Sequence, residues 1–190
     1  MPSSDEFGRT TIVALTGFMA AGKSTVGRAL ACMLEWRFVD LDCEIERTAR
    51  QSVREIFAKR GEAVFRELEG DALRRILHGA DSPTVVALGG GTFVQPQTAG
   101  CLRAAAVRVV FLELPLEELL QRCRAMGQHS GKNPRPLAAD QEAFRSLYVQ
   151  RLPLYREADL VVNAEGKTPE EIAREITKSF GLGVGESAGL

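Results

Sequence analysis

The sequence predicts an α/β protein in which a parallel sheet is covered on both faces by helices. Three observations carry this reading. A β-prone run, a glycine-rich loop and a helical stripe follow one another near the N-terminus; short buried runs then alternate with helical stripes; and a capped helix lies near the end.

The elements follow in order. Thr10 to Thr16 is β-prone and stops at Gly17, after which Val26, Leu30, Met33 and Leu34 recur at helical spacing. Phe38-Val39 forms a second short run that delivers Asp40 and Asp42 to its C-terminal end. Ser52 and Glu55 fit a capping box before Ile56 and Phe57, and Phe65, Leu68, Ala72, Leu73, Ile76 and Leu77 outline another helical stripe. Thr84 to Leu88 reads as a buried strand running into Gly89-Gly90-Gly91, and Val107 to Leu112 as the next. A helix beginning near Pro115 puts Leu116, Leu119 and Leu120 on its apolar side. Residues from about 127 to 139 have no apolar periodicity and read as a mobile surface loop carrying His129, Lys132 and Arg135. A helix over about 140–151 and a strand at Leu160-Val161-Val162 follow. Thr168-Pro169-Glu170-Glu171 combines a hydroxyl N-cap, proline at the first helical position and glutamate at the third; the tail over 181–190 is expected to fray.

With 190 residues, 45% of them hydrophobic, the chain suits one buried core and a single domain. No apolar run approaches the roughly 20 residues that span a membrane, and the first residues lack the basic and apolar regions of a secretory signal, so a cytoplasmic protein without a membrane partner is expected. Cys32, Cys43, Cys101 and Cys123 form no CxxC pair and have no metal-site spacing with the histidines, which favours reduced, mostly structural thiols. A net charge of -1 offers no electrostatic reason to bind nucleic acid. Only five of the 24 basic residues are lysine, however, and guanidinium groups grip carboxylates and phosphates through paired hydrogen bonds.

Gly17-Phe18-Met19-Ala20-Ala21-Gly22-Lys23-Ser24 fits G-x-x-x-x-G-K-S between a predicted strand and a predicted helix. Backbone N–H groups and a helix N-terminus would face nucleotide phosphates, with Lys23 at the β/γ-phosphates and the Ser24 hydroxyl on Mg²⁺. Such a loop identifies a triphosphate site; transfer needs an acceptor in line with the γ-phosphate. Asp40 and Asp42 point the same way if the strand continues through both. If the chain turns between them, they divide two jobs, one near the Mg²⁺ water shell and one at the acceptor hydroxyl. Arg66 follows Phe65, so the ring can anchor inward while the guanidinium emerges at the helix edge, with Glu62, Glu67 and Glu69 as competing partners. Gly89, Gly90 and Gly91 remove side chains where a substrate or phosphate would approach the backbone. Arg135 is placed to close over ATP, and Arg151 is a second candidate for an anionic ligand.

Taken together these stretches resemble the shikimate kinase family. The matching residues are Gly17 to Gly27; Phe38 to Asp42 with Glu44-Ile45-Glu46; Glu55-Ile56-Phe57 with Gly61-Glu62 and Phe65-Arg66; the Gly89 triplet; Arg135-Pro136-Leu137; and Arg151 to Tyr155. The resemblance implies a P-loop nucleoside-monophosphate-kinase-like three-layer fold on a central five-stranded parallel sheet. It places a substrate-binding segment over about 40–78 and a lid over about 124–139, and implies that ATP with Mg²⁺ phosphorylates the 3-hydroxyl of shikimate. Residues matching Asp42, Arg66, Gly89, Gly90, Gly91 and Arg151 would hold shikimate, with Lys23, Asp42 and Arg135 catalytic. Gly17, Ala20, Ala21, Gly22, Lys23, Ser24, Thr25 and Arg135 would hold nucleotide, with Arg124, ahead of Arg122, against adenine. Ser24 and, through water, Asp40 would serve the metal. A monomer is expected.

Three positions depart from the family pattern. Ala20 stands where glycine is frequent, which is harmless if its φ is negative; Arg50 also replaces a glycine, so the local turn must differ or absorb strain. The stretch from Gly127 to Asn133 is longer than in compact members. The competing readings are a kinase for another small hydroxy acid such as gluconate, and a nucleotide-dependent interaction module that transfers nothing.

Overall fold

The computed structural model describes residues 11–129 and 140–183. Five strands, β1 (Ile12–Thr16), β2 (Arg37–Asp40), β3 (Thr84–Ala87), β4 (Arg108–Glu113) and β5 (Leu160–Asn163), form one parallel sheet in the order β2-β3-β1-β4-β5. Seven described helices surround it: α1 (Lys23–Leu34), α2 (Leu41–Ala49), α3 (Val53–His78), α4 (Pro96–Ala104), α5 (Leu116–His129), α6 (Gln141–Tyr155) and α7 (Pro169–Phe180). Every residue of β1 and β3 is buried, which explains why these strands read as continuous apolar runs rather than alternating ones.

After β1 the chain builds β2 and β3 to one side and then crosses to β4 on the other, so strand order reverses beside β1. In an open parallel sheet that reversal leaves a crevice at the C-terminal strand ends, where ligands collect. The loop after β1, the aspartates after β2 and the glycines after β3 all open there.

Local chemistry sets the element boundaries. Both sequence-read capping boxes are present: the Ser52 hydroxyl accepts from Glu55 N at 3.2 Å while Glu55 accepts from Ser52 N, and Thr168 and Glu171 do the same for α7. Hydrogen bonds from the Ser52 backbone and hydroxyl, and the Lys59 ammonium, lower the Glu55 carboxyl to about 2. Gly61, at φ 79, divides α3 into two helical arms, the second of which carries Phe65, Arg66 and Glu69.

Several boundaries differ from the sequence reading. The expected loop over 127–139 begins later, because α5 continues through His129; the rest of that loop, with Lys132 and Arg135, lies outside the described residues. Helix α6 runs to Tyr155 rather than stopping near residue 151. Pro153 falls in its last turn, and the Arg156 N–H closes the end on Leu152 O and Leu154 O. Helix α4 has no counterpart in the sequence reading; its start is marked by Pro96 alone, without a side-chain cap. Of the four cysteines, Cys123 is buried, Cys101 is half-buried, and Cys32 and Cys43 are exposed. Among the described residues no helix is long and apolar enough to cross a membrane.

The two single-residue departures, Ala20 and Arg50, both sit in the left-handed region. Arg50 ends α2 at φ 51, and Ala20 has φ 63 rather than the negative value that would make it harmless. A Cβ in that region costs about 1–2 kcal/mol. Replacing Arg50 by glycine is therefore expected to raise stability by roughly 0.5–1 kcal/mol after the entropic cost of glycine. Denaturant unfolding reads this as a higher midpoint; a lower midpoint would mean that the arginine side chain more than offsets its own backbone.

Candidate active site

The loop between β1 and α1 is anchored from behind by its own aromatic residue. Phe18 is buried and meets Phe144 and Tyr148 of α6 edge-on, with ring centroids 5.0 and 5.5 Å apart. Gly22 precedes the first turn of α1, which has neither a side-chain cap nor an acidic residue, so its N–H groups remain available to an anion. Lys23 Nζ donates to Gly17 O at 2.9 Å and to Phe18 O at 3.0 Å, which holds the ammonium over the loop. Ala21 is buried and donates its N–H to Phe18 O, whereas Thr25 is exposed on α1.

Asp40 joins this loop to the next element. The chain turns after it, so Asp40 and Asp42 divide two jobs. Asp40 Oδ1 caps α2 by accepting from Asp42 N and Cys43 N at 3.1 and 3.3 Å, while Oδ2 accepts from the Ser24 hydroxyl at 2.5 Å. Asp42 lies in the first turn of α2 with its carboxylate beside Gly89.

Each glycine of the triplet accommodates a different neighbour. A Cβ on Gly89 would lie 3.0 Å from Asp42 Oδ1, Glu69 Oε1 and Thr92 Oγ1 alike. One on Gly90 would lie 3.6 Å from Met19 N, against the phosphate loop. One on Gly91 would lie 2.6 Å from Arg66 Nη2, an overlap that no real Cβ tolerates.

Arg66 is held from both sides. Its Nη1 donates to Glu69 Oε2 at 2.8 Å and its Nη2 to Glu62 Oε1 at 3.0 Å, and the Phe65 ring lies alongside. Burial alone would lower the Arg66 guanidinium, but Glu69 and Glu62 outweigh it and raise it. The Glu69 side chain is only 1% exposed, against 21% for Arg66, so its oxygens need partners within the protein; Arg66 supplies one and the Thr92 hydroxyl the other, donating to Oε1 at 2.6 Å. On the far side of the triplet, Arg151 Nη1 donates to Gly90 O at 3.2 Å and the Tyr155 hydroxyl donates to the same oxygen. Burial raises the Tyr155 phenol to about 12, against a smaller opposing effect of Arg151, so it acts as a neutral donor at ordinary pH.

Lys23, Ser24, Asp40, Asp42, Arg66, the glycine triplet and Arg151 are thus brought into one crevice. Of the two arginines considered for adenine, Arg124 donates to Gln141 at 3.3 Å, while Arg122 pairs with Glu118 and lies 3.7 Å from where a Cβ on Gly22 would be. Glu69, Thr92 and Tyr155 had no site role in the sequence reading. Glu69 was legible only as an i,i+3 partner for Arg66, and nothing in the sequence marks Thr92 or Tyr155 as reaching the glycines.

A phosphate loop and an arginine-lined acceptor cleft that meet across one glycine turn define a P-loop small-molecule phosphotransferase. The Shikimate kinase family model matches residues 19–180. A shikimate kinase of Geobacter sulfurreducens is 42% identical over 167 residues, which cover 86% of this chain and 87% of that one; a shikimate kinase of Prochlorococcus marinus is 43% identical over 163 residues, 85% and 81% of the two chains. The structure of shikimate kinase from Acinetobacter baumannii in complex with shikimate superimposes with a TM-score of 0.79 at 32% identity, covering 92% of this chain and 94% of that one. The chain belongs to the shikimate kinase family.

Removing the Thr92 hydroxyl tests the buried network by itself. Thr92→Val keeps the shape but leaves Glu69 Oε1 without its donor, so a loss of about 2 kcal/mol is expected in denaturant unfolding. An unchanged midpoint would show that Glu69 does not depend on Thr92.

Proposed function

We infer that this chain transfers the γ-phosphoryl group of ATP to the 3-hydroxyl of shikimate, giving shikimate 3-phosphate and ADP. The observation that carries the reading is the meeting of Asp42 and Arg66 on a glycine triplet whose middle residue abuts the phosphate loop. Acceptor and donor phosphate are thereby held side by side, as direct transfer requires.

Arg66 and Arg151 supply the cationic side of the acceptor cleft and suit a carboxylate, and Glu69 fixes the plane of the Arg66 fork. Asp42 orients the attacking hydroxyl and takes its proton as the oxygen–phosphorus bond forms. A loose transition state needs little early deprotonation, so orientation is the larger part of that role. Lys23 leaves its loop carbonyls to meet the β/γ-phosphate oxygens, and Arg135, outside the described residues, adds charge from the lid. No covalent phosphoenzyme is required.

The chemistry of the Ser24–Asp40 pair fits Mg²⁺, which prefers hard oxygen donors and keeps several waters. Among the described residues no group of three or more acidic, histidine or cysteine side chains is arranged around a metal, so the ion would share its ligands with the nucleotide. When bound, Mg²⁺ neutralises phosphate charge. Ser24 and, through water, Asp40 would hold it from the protein side.

A coupled ADP-release assay with shikimate, gluconate or no acceptor, each with and without Mg²⁺, tests the reading. Shikimate- and Mg²⁺-dependent ADP formation is expected, reduced in Arg66→Lys mainly through at least a tenfold rise in KM, because lysine keeps the charge but loses the planar fork. Turnover with gluconate alone, or the same low rate without any acceptor, would overturn it.

A further inference from the structure

At the other end of β2 from Asp40, an open cavity of about 510 Å³ gathers Arg37, Arg47, Arg50 and Arg75 over a floor that includes Val39 and Ile76. Arg37 opens β2 and pairs in register with Thr84, the first residue of β3, so the cavity opens at the N-terminal edge of the sheet and extends along β2 to Val39 and the Glu44 face of α2; none of the site residues described above lines it. Glu44 is the single carboxylate in its lining. Four positive charges and one negative leave an excess of three in a chain whose formal net charge is -1.

That excess is not resolved by the protein's own groups. Glu44 is engaged by Arg47, which donates Nε at 3.0 Å and Nη2 at 2.7 Å. Among the described residues, the guanidinium groups of Arg37, Arg50 and Arg75 make no hydrogen bond or close ion pair, although Arg75 helps to lower the Glu44 carboxyl, after the larger effect of Arg47. Arg47 and Arg75 lie in the last turns of α2 and α3, where a cation offsets the helix dipole. Arg50, the C-cap of α2, shares that account, although its left-handed φ of 51 would suit glycine better; Arg37, on a strand, does not. All four arginines are exposed, so water and salt screen most of their mutual repulsion, but an anion entering the cavity would meet several unengaged guanidinium donors at once.

We propose that this cavity is a second ligand site, for a small polyanion carrying phosphate or carboxylate groups. Its volume lies within the range of small-molecule sites, and planar guanidinium forks match both kinds of anion. The apolar floor gives room for a compact carbon skeleton between the charged groups. Phosphate esters and polycarboxylates share this chemistry, and the two probes of the test separate them.

The ¹⁵N-labelled full chain is titrated with pyrophosphate and, separately, with citrate, following amides near the cavity (Arg37, Arg50, Gly79, Ala80) and those of the phosphate loop. A saturable shift at the cavity amides with either probe is expected, and the tighter probe identifies the preferred group. The double variant Arg37→Gln/Arg50→Gly is expected to weaken that isotherm at least tenfold while leaving the pyrophosphate response of Gly17 to Ser24 unchanged. Glycine at 50 relieves the left-handed backbone and so favours a folded variant; Arg75→Gln serves as an independent second variant. Cavity amides that do not shift with either probe, or an isotherm unaltered in both variants, would overturn the proposal.

Discussion

The site is organised around the turn of three consecutive glycines that follows β3. Gly89 and Gly91 admit the carboxylates of Asp42 and Glu69 and the guanidinium of Arg66 closer than a Cβ would allow without a shift, while Gly90 sets the turn beside the phosphate loop. Close packing leaves no slack for an added methyl at Gly91, where the nearest atoms belong to a guanidinium already held by two carboxylates. The turn itself is secured at Gly90 O by Arg151 and Tyr155, so α6 reaches the acceptor side through its last turns and the phosphate loop through Phe144 and Tyr148. One helix thus registers both halves of the crevice.

Asp40 makes the same connection from the opposite flank. A single carboxylate caps the helix that presents Asp42 and holds the hydroxyl of Ser24 in the first turn of α1. A hydrogen bond to a charged acceptor is worth more than one between neutral groups, so this joint is a strong one for its size. Glu69 adds a third constraint: a carboxylate nearly out of reach of water fixes Arg66 on one side and Thr92 on the other. Ser24, the start of α2 with Asp42, and Arg66 are therefore each tied to a neighbouring element or buried carboxylate by hydrogen bonds.

Much of this was legible in the sequence because it is local. The phosphate loop, the two capping boxes and the buried runs of β1 and β3 are patterns within a few residues, and the family resemblance carried Asp42, Arg66 and Arg151 as candidates. What was not legible is long-range or depends on backbone angles. Thr92 reaches Glu69 across 23 positions and Tyr155 reaches Gly90 across 65, neither of which leaves a periodic trace. The sign of φ at Ala20 cannot be read from the residue type, and alanine there runs against the local rule. Helix α4, whose start only Pro96 marks, was hidden by the glycines before it and by Gly100 within it.

The central claim is that donor phosphate and acceptor hydroxyl meet directly over the glycine turn, without a covalent stop on the protein. The stereochemical course of transfer from ATP made chiral at the γ-phosphorus to shikimate tests this most directly. One in-line displacement inverts the configuration at phosphorus, and inversion is the predicted result. Retention would require two displacements, and with them a phosphorylated side chain that this account does not contain.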